Sequence, residues 1–198
     1  MTRIIGGAAG GRRIATPKGD QTRPTSDRVR EALFSALESW AGSLHGLRFL
    51  DLYAGSGAVG LEAWSRGATA VTLVEADRRT AALISGNARE LGFREADVVA
   101  ASVASALTAG PRASYGPYDV VFSDPPYPLD EEALAHDLAL LAGNGWLAPG
   151  ALVVVERATR SPEPVWPAGL VPQRDRKYGE TRLWYAEERP ADGSPSDR

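Results

Sequence analysis

The stretch Leu47-Arg48-Phe49-Leu50-Asp51-Leu52-Tyr53-Ala54-Gly55-Ser56-Gly57-Ala58-Val59-Gly60 decides the fold of this chain. Its first half, Leu47–Asp51, is mainly apolar and reads as a strand. Its second half places glycines at 55, 57 and 60, the G-x-G-x-x-G spacing of a tight turn that feeds a helix. Such glycines let a ligand approach the backbone at a helix N-terminus. The motif alone does not choose between a dinucleotide and S-adenosylmethionine. Asp51 sits just before the turn, where a carboxylate opposes a pyrophosphate but suits an ammonium. Glu75, some twenty residues on, suits ribose hydroxyls in both cofactors.

Downstream the pattern alternates strand and helix. Strands are predicted at Ala70–Glu75, Asp97–Ala101, Tyr118–Ser123 and Ala151–Glu156. Helices are predicted at Ala58–Arg66, Arg78–Leu91, a short segment from Val103, and Glu131–Leu141. This rhythm predicts βαβ units and a parallel sheet covered on both faces. Two further strands, Leu170–Lys177 and Thr181–Glu187, meet at Tyr178-Gly179-Glu180, which predicts a hairpin and an antiparallel strand in the sheet. Upstream, Arg3–Ile5 and Arg12–Ala15 flank glycines at 6, 7, 10 and 11, reading as a hairpin or loose arm. Thr25 or Ser26 is placed to cap a helix running to about Trp40.

A second motif carries chemistry. Asp124-Pro125-Pro126-Tyr127 follows the strand Tyr118–Ser123. The proline pair fixes the backbone and leaves carbonyls without local amide partners. With a carboxylate before it and a ring after it, the set suits a planar ring bearing an exocyclic amine. In doubly wound sheets ligands gather at strand carboxyl ends near the switch in strand order. That places this tetrapeptide beside the glycine loop and favours methyl transfer.

Composition excludes much else. The chain of 198 residues holds no cysteine and two histidines, His45 and His136, far apart in sequence. Thiol chemistry and disulfides are excluded, and no metal site is expected. No apolar run approaches a membrane span of roughly 20 residues, and no secretory signal is read, so a cytoplasmic enzyme is expected. The net charge is −3, yet residues 1–30 carry +5 and the remainder −8. Segregation of this kind predicts a basic face for nucleic acid on an acidic body. The bland alternative is that the arginines only solubilise a glycine-rich arm.

At this point the chain resembles a known family. Gly55-Ser56-Gly57, Glu75 and Asp124–Tyr127 are similar to class I amino-methyltransferases. The flanks, Arg3–Gly7, Gly11–Ile14, Thr22–Thr25, Asp27–Phe34 and Lys177–Leu183, are similar to the bacterial RsmD family, which methylates N2 of a guanine in 16S ribosomal RNA. The resemblance runs from about residue 3 to 187. It implies a Rossmann-like α/β fold: a mostly parallel seven-stranded sheet with an antiparallel C-terminal strand and a small N-terminal β-hairpin extension. The expected organisation is a basic arm at 1–22, a methyltransferase domain at 23–188 and a disordered tail at 189–198. It further implies S-adenosylmethionine held by Asp51, Tyr53, Gly55, Ser56, Gly57, Glu75, Ala76, Ser102, Val103 and Asp124. Relatives often carry an acid after the third strand, near the adenine; here Ala100-Ala101-Ser102-Val103 leaves Ser102 or a backbone amide for that role. The base would be held by Asp124, Pro125, Pro126 and Tyr127. RNA contacts are expected from Arg3, Arg12, Arg13, Arg23, Thr25, Arg28, Arg30, Lys177 and Arg182. The expected partner is 16S rRNA, free or in the 30S particle, and the expected state is a monomer. The competing readings are a DNA adenine-N6 methyltransferase, a non-catalytic RNA-binding factor on the same fold and, more distantly, an NAD oxidoreductase.

Overall fold

The computed structural model describes residues 1–18 and 25–189. The expected contact at Arg23, the boundary at residue 22 and the tail from 190 onward lie outside the described residues. Arg189 itself continues the fold, its N–H donating to the Gly169 carbonyl at 2.9 Å.

The expected alternation forms almost as read. It runs β3 (Arg48–Leu52), α2 (Ala58–Ser65), β4 (Ala70–Glu75), α3 (Arg78–Leu91), β5 (Asp97–Ala100), α4 (Val103–Ala109), β6 (Tyr118–Ser123), α5 (Glu131–Gly143) and β7 (Leu147–Ala158). The antiparallel pair β8 (Leu170–Tyr178) and β9 (Thr181–Glu188) follows. Ahead of them lie β1 (Thr2–Arg3), β2 (Arg13–Ile14) and α1 (Asp27–Ala41). Ser26, rather than Thr25, caps α1, accepting from the Val29 N–H at 3.3 Å.

The seven-stranded sheet has the order β5-β4-β3-β6-β7-β9-β8. Its first five strands are parallel, and β9 inserts antiparallel between β7 and β8. The strand order switches between β3 and β6, so those two carboxyl ends are neighbours. Leu52 pairs with Ser123 there. The Asp124 N–H donates to the Leu52 carbonyl at 3.4 Å, tying the tetrapeptide to the loop strand.

Apolar residues fill both faces of the sheet. One layer packs Leu33, Phe34, Leu61 and Ile84 from α1–α3 against Phe49, Val71 and Phe122. The other packs Leu107, Leu134 and Leu138 from α4 and α5 against Leu50, Val121 and Val153.

The N-terminal hairpin is docked rather than loose. Ile4, Ala9 and Ile14 join the first layer. Glu62 of α2 is fully buried beneath it and accepts from the Ile5 and Gly6 N–H groups at 2.7 and 2.8 Å. Arg66, one turn on, donates to the same carboxylate at 2.9 Å. Gly7 sits at φ +75, and a Cβ there would lie 1.9 Å from the Ser65 carbonyl oxygen. Only glycine allows the hairpin this close to α2.

Candidate functional site

The glycine loop takes the expected shape. Gly55 and Gly57 have φ of +56 and +80. A side chain on Gly55 would meet nothing within 4 Å, so the space above it is open. At Gly60 a Cβ would stand 2.6 Å from Leu73 Cδ2, so this glycine serves close packing of α2 on the sheet. Tyr53 enters the loop at φ +60, a conformation rare for a residue with a side chain. Its hydroxyl donates to the Asp137 carboxylate of α5. Burial and the Asp137 carboxylate push the Tyr53 phenol up, so the hydroxyl keeps its proton.

Two acids frame the loop. Asp51 is buried, and its Oδ2 accepts from the Gly60 N–H at 2.8 Å. Burial pushes its carboxyl up to about 7, against the pull of that amide and with a push from Glu75. A carboxylate so short of solvation is suited to an incoming cation. Glu75 is half-buried; its two oxygens accept from the Gly55 N–H at 2.9 Å and the Asp77 N–H at 3.0 Å. Each oxygen retains a second lone pair for a hydroxyl. Ala76 is exposed beside it. Ser102 is exposed and caps α4, accepting from the Ser105 N–H at 3.2 Å, while Val103 turns into the core. The Ser102 hydroxyl also donates to the Ser105 hydroxyl at 2.9 Å.

The tetrapeptide begins where β6 ends. Pro125 is buried, Pro126 is exposed, and the Pro126 carbonyl accepts from the Leu129 N–H at 2.9 Å. Tyr127 is 66% exposed, with the Arg160 guanidinium 4.7 Å from its ring centroid. A ring so exposed adds little to the core, and its contact is with the Arg160 guanidinium at the rim. Arg157, buried at the end of β7, donates to the Leu129 carbonyl and pairs with Glu131, fixing the chain just after the tetrapeptide.

Several residues escaped the sequence reading. Glu156 of β7 joins Asp124 through Thr25, whose Oγ1 lies 3.3 Å from Asp124 Oδ2 and 3.1 Å from Glu156 Oε2. Burial, then repulsion from Glu156 and Asp51, raises the Asp124 carboxyl well above its ordinary value. Burial pushes Glu156 up to about 7, with the Thr25 contact opposing. The sequence signal was present: Glu156, like Asp51 and Glu75, is an acid at the carboxyl end of an apolar strand. Asn87 of α3 was also missed. It bridges the hairpin to the loop, pairing with the Ala15 backbone and donating to the Ser56 carbonyl.

The expected RNA contacts divide. Arg3, Arg13, Arg28 and Lys177 are exposed. Arg30 corrects the expectation: it is fully buried and donates to Asp27 at 2.8 Å and to the Arg3 carbonyl at 2.7 Å, fastening the hairpin to α1. Arg12 is engaged at the end of α3, donating to the Leu91 and Glu90 carbonyls. Thr25 faces Asp124 rather than the outer surface. Arg182 is half-buried over the Trp184 ring and pairs with Asp175 at 3.5 Å.

A family model described as "Conserved hypothetical protein 95" matches residues 2–187. The chain is 39% identical over 188 residues to the Ribosomal RNA small subunit methyltransferase D of Escherichia coli, covering 93% of this chain and 90% of that one. It is 37% identical over 164 residues to the protein of the same name from Haemophilus influenzae, covering 81% and 80%. A solved hypothetical protein of Thermus thermophilus superposes with a TM-score of 0.79 at 36% identity, covering 94% and 99%. A solved precorrin-6y C5,15-methyltransferase of Geobacter metallireducens, at 16% identity and a TM-score of 0.59 over 89% and 94%, shares the fold alone. With a family model spanning the fold from the hairpin to β9, and relatives above a third identical across most of their length, this chain belongs to the RsmD family.

Proposed function

We propose that this protein transfers a methyl group from S-adenosylmethionine to the exocyclic N2 of a guanine in small-subunit ribosomal RNA. One observation carries the reading: Asp124 follows directly on the β6 end that pairs with the glycine-loop strand, its N–H on the Leu52 carbonyl. Neighbouring strands lie about 5 Å apart, which brings a donor and an acceptor within reach of one carbon.

The donor, when bound, supplies a methyl already activated on a sulfonium. Asp51 offers its carboxylate to the ammonium end, Glu75 its free lone pairs to the ribose, and Gly55 the open space above the backbone. Asp124 and the Pro125 carbonyl accept from the two N2 hydrogens, holding the nitrogen lone pair toward the methyl. Charge on that nitrogen grows during attack, so the Asp124 carboxylate favours the transition state over the ground state. Alignment of nitrogen, methyl and sulfur supplies the orientation advantage. Tyr127 stacks on the base, which must be unpaired or flipped out. Tyr127→Ala is expected to raise KM for RNA about tenfold, since base stacking is worth ~1–3 kcal/mol. An unchanged rate at low RNA concentration would assign the ring no role.

Arg3, Arg13, Arg28 and Lys177 supply phosphate contacts. Alanine at any one of them is expected to reduce the slope of log affinity against log salt by roughly 0.7–0.9. Arg30→Ala removes no exposed cation and should act first on stability, with a smaller change in that slope than Arg13→Ala gives, which a salt titration beside a urea melt separates. The hairpin carries core residues, so single charge substitutions test its role more cleanly than its deletion.

The decisive experiment is transfer of labelled methyl from S-adenosylmethionine to 30S particles, to free 16S rRNA and to DNA, followed by mapping of the modified nucleotide. Label on DNA adenine alone, or on no nucleic acid, would overturn the proposal.

A further inference from the structure

Thr25 holds one hydroxyl between two carboxylates, 3.3 Å from Asp124 Oδ2 and 3.1 Å from Glu156 Oε2. A hydroxyl has one proton to donate and lone pairs with which to accept. Between two ionised carboxylates it serves one and sets its lone pairs against the other. One hydroxyl proton shared between them makes two weak three-centre contacts; both become full two-centre hydrogen bonds when one carboxyl carries a proton. The wider surroundings favour that proton. Asp51, Asp124 and Glu156 stand at or just beyond the carboxyl ends of β3, β6 and β7, three strands adjacent in the sheet. Glu75 of β4 adds negative potential at Asp51. From β9, Leu183 pairs opposite Glu156 and brings no charge. Arg157, whose field reaches Asp124, is engaged with Glu131 and the Leu129 carbonyl. Like charges crowded this way cannot all ionise until a cation joins them.

We propose that the Asp124–Thr25–Glu156 cluster is the proton acceptor of the reaction, holding one shared proton in the free enzyme, yielding it to solvent when a cationic methyl donor binds, and taking one back from the substrate nitrogen. This rests on the reading under Proposed function. The step balances. The N–C bond forms as the S–C bond breaks, and the positive charge passes from sulfur to nitrogen. The N–H bond then breaks, its electron pair staying on nitrogen and its proton going to Asp124. Thr25 can accept that proton while donating its own to Glu156. With the sulfur now neutral, the acid cluster again faces one cation fewer and retains the proton until the next donor binds. Asp124 is the catalytic residue; Thr25 and Glu156 act through it as positioning residues. The raised carboxyls of Asp124 and Glu156 agree with a shared proton near neutral pH.

The test is calorimetry of the full chain at pH 7 in buffers of different ionisation heat. S-adenosylmethionine is expected to release about 0.5–1 proton per molecule bound, and S-adenosylhomocysteine, which lacks the sulfonium charge, distinctly less. The sign follows from competition between proton and cation: affinity for S-adenosylmethionine should rise from pH 6 to pH 8, by up to about tenfold per unit, while that for S-adenosylhomocysteine stays nearly flat. Glu156→Gln should at least halve the proton release and flatten the pH dependence. Thr25→Ser should retain both, and Thr25→Val should lose the coupling. Binding of S-adenosylmethionine without proton exchange by the unaltered chain, or an undiminished release in Glu156→Gln, would overturn the proposal and leave the methyltransferase reading intact. Failure of the unaltered chain to bind S-adenosylmethionine would instead remove the reading on which it rests. The unaltered chain alone decides the matter if the Glu156 variant does not fold.

Discussion

Asp124→Ala is expected to cut the methyl-transfer rate by about a thousandfold, with the affinity for S-adenosylmethionine changed only a few-fold. The carboxylate does two things that alanine cannot. In the proposed reaction it accepts an N2 hydrogen and meets the charge that develops on nitrogen. Loss of one such preorganised group costs roughly 2.7–4 kcal/mol in barrier height. Alanine also removes one of three crowded acids, so Glu156 and Asp51 ionise more readily and still attract a cation. Single-turnover transfer and equilibrium dialysis of the donor, run on the same preparation, separate chemistry from binding. A rate within tenfold of the unaltered protein would remove Asp124 from the mechanism.

Glu62→Ala is expected to lower unfolding stability by about 3–5 kcal/mol, the cost of breaking a buried ion pair by removing one partner. The carboxylate is fully buried, satisfies two backbone amides of the hairpin and pairs with Arg66. Without it two N–H groups of the hairpin lose their acceptor, and the Arg66 guanidinium is left with Glu38, 3.1 Å away. Urea melts at neutral pH measure the effect. Gly7→Ala tests the same joint from the other side, because its Cβ would overlap the Ser65 carbonyl. Both variants should impair RNA binding more than donor binding, since the hairpin brings Arg3 and Arg13 and the glycine loop rests on other elements. A loss below about 1 kcal/mol in Glu62→Ala would mean that the hairpin amides find water at no cost.

The fold was legible because its signals are local and periodic. The strands Ala70–Glu75 and Tyr118–Ser123 and the helix Arg78–Leu91 form with the expected bounds. Strand β7 starts earlier than read, at Leu147, because Pro149 and Gly150 masked a strand that runs through them. The glycine loop and the tetrapeptide were legible for the same reason: each is a contiguous motif with a backbone demand. Contacts made across the sequence were not. Thr25 reaches Glu156 across 131 positions, and Tyr53 reaches Asp137 across 84. Arg30 read as a surface cation because it lies off the apolar stripe of α1; the hairpin that covers it comes from an earlier segment and leaves no mark in the helix periodicity.

The place of β9 inside the sheet bears on how the molecule assembles. Among the described residues strand β8 pairs only with β9, which joins it to β7. β9 seats directly on β7, whereas β8 reaches the sheet through β9, so the ribbon that turns at Gly179 is completed only once β9 has zipped along β7. Until it does, β7 offers a long bare row of amides and carbonyls to any neighbouring molecule. The turn Tyr178–Thr181 is therefore a point where a small lesion at the rim would be felt as clumping of newly made protein, well before any loss of catalysis could be measured.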